Sequence, residues 1–365
     1  MTLPTPADSF SQSYVEASAK FRVTAAGAGA ALTRYANPNR GPNGEALATD
    51  VARFGPADAA GVLLINSGTH GAEGFCGSGA QIALMAAGWQ RRLPPGVALV
   101  LSHAINPYGF AWLRRVTEEN VDLNRNFVDH AQPHPANPGY AEIHDWLLPA
   151  AWEGPERETA DAALARFTAE RGDLASRTAQ SSGQYTHPDG MFYGGIAPTW
   201  SNRTFHAIID AHLRTAQRFC FFDLHTGLGP SGYGEPSYVG RDTEEGFAEA
   251  QRWFGPDVTW LSRGTGASQP LGGHIGEPFA PYHARGVTGP VLGIEFGTHP
   301  REVVRTALRA EHWLHRRGIA DGQLAARIKR DLRDAFYVDA DEWKAQIVAR
   351  CEELTGKAIA NLAQA

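Results

Sequence analysis

Three residues in this chain have the types and spacing to hold a catalytic metal ion. His70 and Glu73 stand three apart within Ser67-Gly68-Thr69-His70-Gly71-Ala72-Glu73-Gly74, so one turn can aim both side chains at a common point. His225, in Asp223-Leu224-His225-Thr226-Gly227, can reach the same point from elsewhere in the fold. Two neutral imidazoles and one carboxylate leave the fourth position of a tetrahedral zinc open to water, which separates a catalytic site from a closed structural one. The glycines around His70 and Glu73 allow a tight turn close to the ion. An isolated His-x-x-Glu is common on ordinary helices and by itself reads as structural. The combination says more, because a further carboxylate, Glu295, lies in Gly293-Ile294-Glu295-Phe296-Gly297-Thr298. Asp223 precedes His225 by two and would share its side of a strand, where it could orient the imidazole or serve as a core hydrogen-bond partner.

The elements that must position these residues are legible from apolar runs. Residues 62–66, 97–103, 219–223 and 291–296 are nearly continuous in apolar character, as strands covered on both faces are. Helical spacing appears between and after them at 80–89, 159–175, 204–216, 243–254, 301–316 and 339–360. This layout predicts an α/β fold, a single domain over 1–365 built on a central mixed, mostly parallel twisted sheet flanked by helices. In such sheets ligands bind beyond the carboxyl ends of the strands, and each run delivers its chemistry-bearing residues there. The Gly- and Pro-rich stretch 264–290 reads as a long functional loop rather than a linker.

Composition narrows the function. Lys and Arg number 33 against 39 Asp and Glu in 365 residues, a net charge of −6, so no basic surplus exists to neutralise a phosphate backbone. Nucleic acid is not an expected partner. Cys76, Cys220 and Cys351 are few, odd in number and far apart, which suits a reducing compartment and a cytoplasmic location. The opening MTLPTPADSF lacks a basic start followed by an apolar run, and no segment reads as membrane-spanning.

Several longer stretches resemble the zinc carboxypeptidase superfamily, including its aspartoacylase and succinylglutamate desuccinylase branch. They are Gly68-Thr69-His70-Gly71-Ala72-Glu73, Asn106-Pro107-Tyr108-Gly109, Asp122-Leu123-Asn124-Arg125-Asn126-Phe127, Asp223-Leu224-His225-Thr226 and Ile294-Glu295-Phe296-Gly297. They follow the family's order from Gly68 to Gly297, and the Asp-Leu-Asn-Arg-Asn-Phe run is the most specific. The resemblance implies one zinc per chain on His70, Glu73 and His225, with Glu295 as general base. It implies that Asn124 and Arg125 grip a substrate carboxylate, and that Arg115, or Arg114 beside it, polarises the scissile carbonyl. Digestive members carry a mobile tyrosine on a loop before the catalytic Glu. Tyr282, Tyr238, Tyr233 or His274 could take that place here, or none. Segment 131–193 has no recognised counterpart in those enzymes and reads as a specificity insertion.

The chemistry agrees with these roles. Zinc lowers the pKa of bound water, a nearby carboxylate can take its proton, and a fixed cation can meet the charge that develops on the carbonyl oxygen. A guanidinium matches a carboxylate in bidentate fashion, although for Arg125 alone a structural salt bridge would be the plainer reading. The expected activity is hydrolysis of an amide bond next to a free carboxylate, as a metallocarboxypeptidase or as an N-acyl amino acid deacylase. The expected partner is a small molecule or short peptide. A silent binding module that kept the fold is the alternative from another class. Cys76 is given no role, His103, His274 and His299 read first as structural histidines, and 185–200 reads as pocket wall or packed loop.

Overall fold

A computed structural model describes residues 5–318 and 322–364, and the four apolar runs form the middle of one eight-stranded sheet. In chain order the strands are β1 (Ala31–Arg40), β2 (Ala46–Phe54), β3 (Gly61–Ser67), β4 (Val97–His103), β5 (Arg218–Ser231), β6 (Gly234–Tyr238), β7 (Thr259–Trp260) and β8 (Val291–Gly297). Their order across the sheet is β1-β2-β4-β3-β5-β8-β6-β7. The central strands β4, β3, β5 and β8 run parallel, as do β6 and β7, while β1, β2 and the β6–β8 pair add antiparallel contacts. The sheet is therefore mixed and mostly parallel, as expected.

Every residue of β3 and β4 is buried, because helices cover both faces and leave no side for polar residues. Leu63, Ile65, Leu99, Leu101 and Phe222 pack on one face against the helices Tyr14–Gly27, Gly74–Ala86 and Asp341–Leu362. Val62, Leu64, Val100, Phe219 and Phe221 meet the helix Trp200–Leu213 on the other, through Phe205, Ile208 and Ile209. A third apolar cluster joins segment 131–193 to the C-terminal half. There Tyr140, Ile143, Leu147, Leu164 and Phe167 pack on Val304, Leu308 and Trp313 of the helix Arg301–Arg317.

The structure moves several boundaries. The helix expected at 159–175 is two, Pro155–Arg171 and Asp173–Ser181, parted at Gly172, whose φ of 82° lies outside the range of a right-handed helix. The one expected at 80–89 starts at Gly74, directly after the candidate ligand turn. The run 219–223 continues as strand to Ser231, so His225 lies inside β5 and not beyond its end. The stretch 264–290 carries a 3-10 helix at Glu277–Phe279 and a five-residue α-helix at Ala280–Ala284.

Candidate metal centre

The tight turn after β3 and the body of β5 bring His70, Glu73 and His225 together, their ligand atoms all within 4.8 Å of one another. All three are buried. Glu73 lies at the centre: its Oε1 is 2.8 Å from His70 Nδ1 and its Oε2 is 2.9 Å from His225 Nδ1. The far nitrogen of each imidazole meets an aspartate. His70 Nε2 is 3.3 Å from Asp122 Oδ1, and His225 Nε2 is 2.5 Å from Asp223 Oδ2. Both rings thus have Nδ1 turned to the centre and Nε2 held from behind, an arrangement that fixes ring orientation and raises ligand basicity. Asp223 is itself fixed, since its Oδ1 accepts from Asn66 Nδ2 at 2.8 Å and from Thr69 Oγ1 at 2.7 Å.

Two nitrogen donors and a carboxylate at this spacing suit a divalent ion such as zinc. Burial works against ionisation of Glu73, yet the His70 and His225 imidazoles hold its carboxyl below the usual range. Burial likewise opposes charge on His225, but Asp223 and Glu73 raise its pKa well above the ordinary histidine value.

The ligand turn is locked by backbone contacts. Gly71 N–H donates to Arg115 O at 3.2 Å and Ala72 N–H to Arg114 O at 2.8 Å. A Cβ on Gly71 would lie 1.9 Å from the carbonyl carbon of Gly109, so no other residue fits without moving the turn. The neighbouring arginines part company here. Arg114 turns into the interior, where its Nε donates to Glu311 at 2.8 Å and its Nη2 to Asn120 at 2.9 Å. Arg115 turns to the centre, donating from Nε to Asp122 at 2.9 Å and from Nη1 to Glu73 at 3.2 Å.

Glu295 stands beside His225 in register on β8. Its Oε1 accepts from the Leu228 N–H at 3.0 Å, and burial, followed by the charge of Glu73, pushes its acid up to about 7. Such a carboxyl can both take and return a proton near neutrality. Asn124 accepts from Ile275 N–H at 2.9 Å through Oδ1, and its Nδ2 lies 3.5 Å from His225 Nε2. Arg125 is buried and gives its terminal nitrogens to two backbone carbonyls, Asn124 and Ser181, while its Nε has no hydrogen-bond partner. Among the described residues no carboxylate lies within ion-pair distance of it, so the structural salt bridge is absent.

One cavity of about 740 Å³ takes in His70, Glu73, His225, Arg115, Asn124, Arg125 and Glu295. All the residues expected at the site therefore meet in one place. Of the four candidates for a tyrosine-like role only His274 lines it. Tyr282 bonds Asp210, Tyr238 bonds the Arg241 carbonyl, and Tyr233 packs under Arg350. Burial, then Arg125, lower the His274 pKa to about 4, so its ring is neutral. His103 is buried against Ser78 and Phe21, and His299 lines a smaller pocket that adjoins the cavity at Leu228 and Arg301. Sequence reading assigned no role to Asp122, although it stands in the most specific motif, nor to Phe192. The ring of Phe192 lies 5.4 Å from the Arg115 guanidinium and 5.7 Å from that of Arg125. Phe192 also has a φ of 54°, a left-handed conformation that a bulky residue keeps only where its surroundings impose it.

Residues 10–350 match the family described as "Protein of unknown function (DUF2817)". No curated protein matches the sequence. Among solved structures, the chain is similar to a carboxypeptidase A from Helicoverpa armigera, at 13% identity over 89% of this chain and 74% of that one, with a TM-score of 0.44. It is similar to thrombin activatable fibrinolysis inhibitor, at 12% identity, 92% and 78% coverage and a TM-score of 0.47. It is also similar to the succinylglutamate desuccinylase from Chromobacterium violaceum, at 15% identity, 86% and 72% coverage and a TM-score of 0.36.

Proposed function

The chain belongs to the DUF2817 family, and from that premise we propose that it is a zinc-dependent hydrolase of amide bonds that lie next to a free carboxylate, acting as a metallocarboxypeptidase on a short peptide. The observation that carries this reading is the meeting, in one cavity, of the His70–Glu73–His225 group, the proton-holding Glu295 and the carboxylate-free Arg125. Deacylation of an N-acyl amino acid is the second reading. It is favoured by the contribution of Leu147, Ala165, Met191 and Phe192, all from segment 131–193, to the cavity wall, which suits a compact substrate. That contribution also supports reading the segment as a specificity element.

A single zinc ion on His70, Glu73 and His225 would polarise the scissile carbonyl and lower the pKa of an attacking water. Asp122 and Asp223 hold the two imidazoles with Nδ1 toward that position. Glu295 accepts the proton of the attacking water and returns it to the leaving nitrogen, a cycle for which a pKa near neutrality is best placed. Arg115, held by Asp122 and Glu73, meets the negative charge that develops on the former carbonyl oxygen. Arg125 takes the substrate carboxylate, supplying the charge-assisted partner its guanidinium otherwise lacks. Asn124 fixes the Ile275 side of the cavity.

The three cysteines are free and buried, which suits a reducing compartment and supports a cytoplasmic location. No helix among the described residues is long and apolar enough to cross a membrane. The proposal is tested by screening N-acyl amino acids beside short peptides, with metal content measured on the same preparation. Zinc-loaded protein that hydrolyses neither class would refute it.

A further inference from the structure

Among the described residues only three non-glycine residues have a positive φ, and all three gather at the arginine pair. Leu113 (φ 49°) adjoins Arg114, Asn120 (φ 61°) accepts from Arg114 Nη2 at 2.9 Å, and Phe192 (φ 54°) sets its ring beside Arg115. A left-handed backbone is unfavourable for a bulky side chain and persists only where neighbouring contacts impose it, which is why such residues cluster at ligand sites. At Phe192 those contacts come from both sides. Met191 N–H donates to Tyr140 Oη at 2.7 Å, Gln184 N–H donates to the Phe192 carbonyl at 3.0 Å, and Asp122 N–H donates to the Tyr193 carbonyl at 2.7 Å. Asn120 Nδ2 adds bonds to the carbonyls of Pro188 at 2.9 Å and Gly190 at 3.0 Å. The residue is thus fastened to Asn120, which binds Arg114, and to Asp122, which binds Arg115.

The ring so placed lines the cavity and stands beside two of its arginines, 5.4 Å from the Arg115 guanidinium and 5.7 Å from that of Arg125. Arg115 is assigned to the scissile carbonyl and Arg125 to the carboxylate, so the substrate carbons between those two groups pass the ring. Its backbone is clamped before and after, so the ring does not withdraw to admit a larger group, and a side chain locked in this way is one on which size selection can rest.

We propose that Phe192 is a specificity-determining residue: its ring is a fixed wall against the carbon that joins the scissile amide to the carboxylate, and it limits the size of the side group which that carbon carries. The substrate then has a small side group at that carbon, and segment 131–193 sets the limit through this one residue. The inference rests on the reading of Arg115 and Arg125 as the grips on carbonyl and carboxylate.

Ketone isosteres of N-acetyl amino acids, in which a methylene replaces the amide NH, cannot be cleaved there and serve as probes, with hydrogen, methyl, isobutyl or benzyl as the side group. In calorimetric titration of the zinc-loaded wild type the benzyl member is expected to bind about tenfold or more weakly than the methyl member, the scale of discrimination a pocket wall gives. Glycine adopts a positive φ freely, so Phe192→Gly removes the ring without disturbing the backbone and should bring the two probes within about twofold of each other. Phe192→Leu should fall between, and Phe192→Tyr should keep the wild-type ratio. Val304→Ala, which trims the cavity wall on the helix Arg301–Arg317, should also leave the ratio unchanged. A ratio unmoved in Phe192→Gly, or in Phe192→Leu should the first variant not fold, would overturn the proposal. An equal change in Val304→Ala would make size selection a property of the whole cavity and overturn it too. Absence of binding by every probe would overturn it together with the Arg125 clamp. Size selection by Phe192 without hydrolysis of any N-acetyl amino acid or peptide would remove the hydrolase reading and leave the wall standing.

Discussion

Replacing Glu295 by Gln separates a proton carrier from a structural hydrogen-bond acceptor, because the two roles move stability and rate in opposite directions. In the metal-free chain the Glu295 acid stands at about 7 against an ordinary 4.5, through burial and the charge of Glu73. A raised carboxyl pKa means that the folded chain keeps a proton the unfolded chain gives up. The folded state is thus unpenalised below pH 4.5, loses stability as the pH climbs from there to about 7, and stays penalised above. The difference, 7 minus 4.5, is 2.5 pKa units. At about 1.4 kcal/mol per unit, and allowing for partial exposure of the side chain, this is roughly 2–3 kcal/mol. Gln does not titrate, and its Oε1 can still accept from Leu228 N–H. Metal-free Glu295→Gln should therefore match the wild type near pH 4.5 and exceed it by roughly 2–3 kcal/mol at pH 8. Zinc, by offsetting the charge of Glu73, should shrink that gap. The zinc-loaded variant should nonetheless lose about 10²–10⁴-fold in kcat. Urea denaturation of chelator-treated protein from pH 4.5 to 8, with zinc content and kcat on the same preparation, measures all three. Parallel stability curves for the two proteins would refute the proton-holding role, and a normal kcat per zinc-loaded molecule would refute the base.

Other substitutions test the remaining parts. His225→Ala should abolish stoichiometric zinc, and undiminished metal by elemental analysis would remove it from the ligand set. Arg125→Ala should lower kcat/KM on free-acid substrates roughly ten- to a hundredfold, the worth of a hydrogen bond to a charged group, with little change on amidated ones. Equal wild-type rates on both would leave Arg125 without a substrate. Arg114→Met strands the buried Glu311 carboxylate, for which Lys329 compensates only in part, so a loss of about 3 kcal/mol is expected while kcat of the folded fraction holds. A fall in kcat at unchanged stability would instead make Arg114, and not Arg115, the catalytic arginine. Gly71→Ala should weaken zinc binding and lower the thermal midpoint together, since the added carbon meets backbone. A variant unchanged in both would contradict the close approach to Gly109.

The parts of the fold legible in the sequence were those whose burial is uniform. β3, β4, β5 and β8 are apolar throughout because both faces are covered, and they announce themselves. β1 does not: it is an edge strand, largely exposed, and its sequence ALTRYANPNR carries no alternation strong enough to read. The break at Gly172 was hidden because one glycine within helical spacing gives no sign of the φ it will adopt. At the site, the candidate ligands and Glu295 could be found because short motifs carry them. Which of Arg114 and Arg115 faces the cavity could not, since Arg114 is turned inward by Glu311, 197 positions away in the chain. That Arg125 has no carboxylate beside it was illegible for the same reason: the want of an ion pair is a property of packing, and no spacing encodes it.

The flanking of His225 by two carboxylates would make uptake of the proposed metal an exchange rather than an addition. Asp223 and Glu73 lie 2.5 and 2.9 Å from the two ring nitrogens and keep the ring cationic until something displaces its proton. An incoming divalent ion must eject that proton, so loading is driven by alkalinity and undone by acid, by as much as about tenfold per pH unit for one proton released. The same proton serves as a placeholder. A chain folding before any metal arrives would not gather bare negative groups together, because the proton already sits where the proposed ion would go.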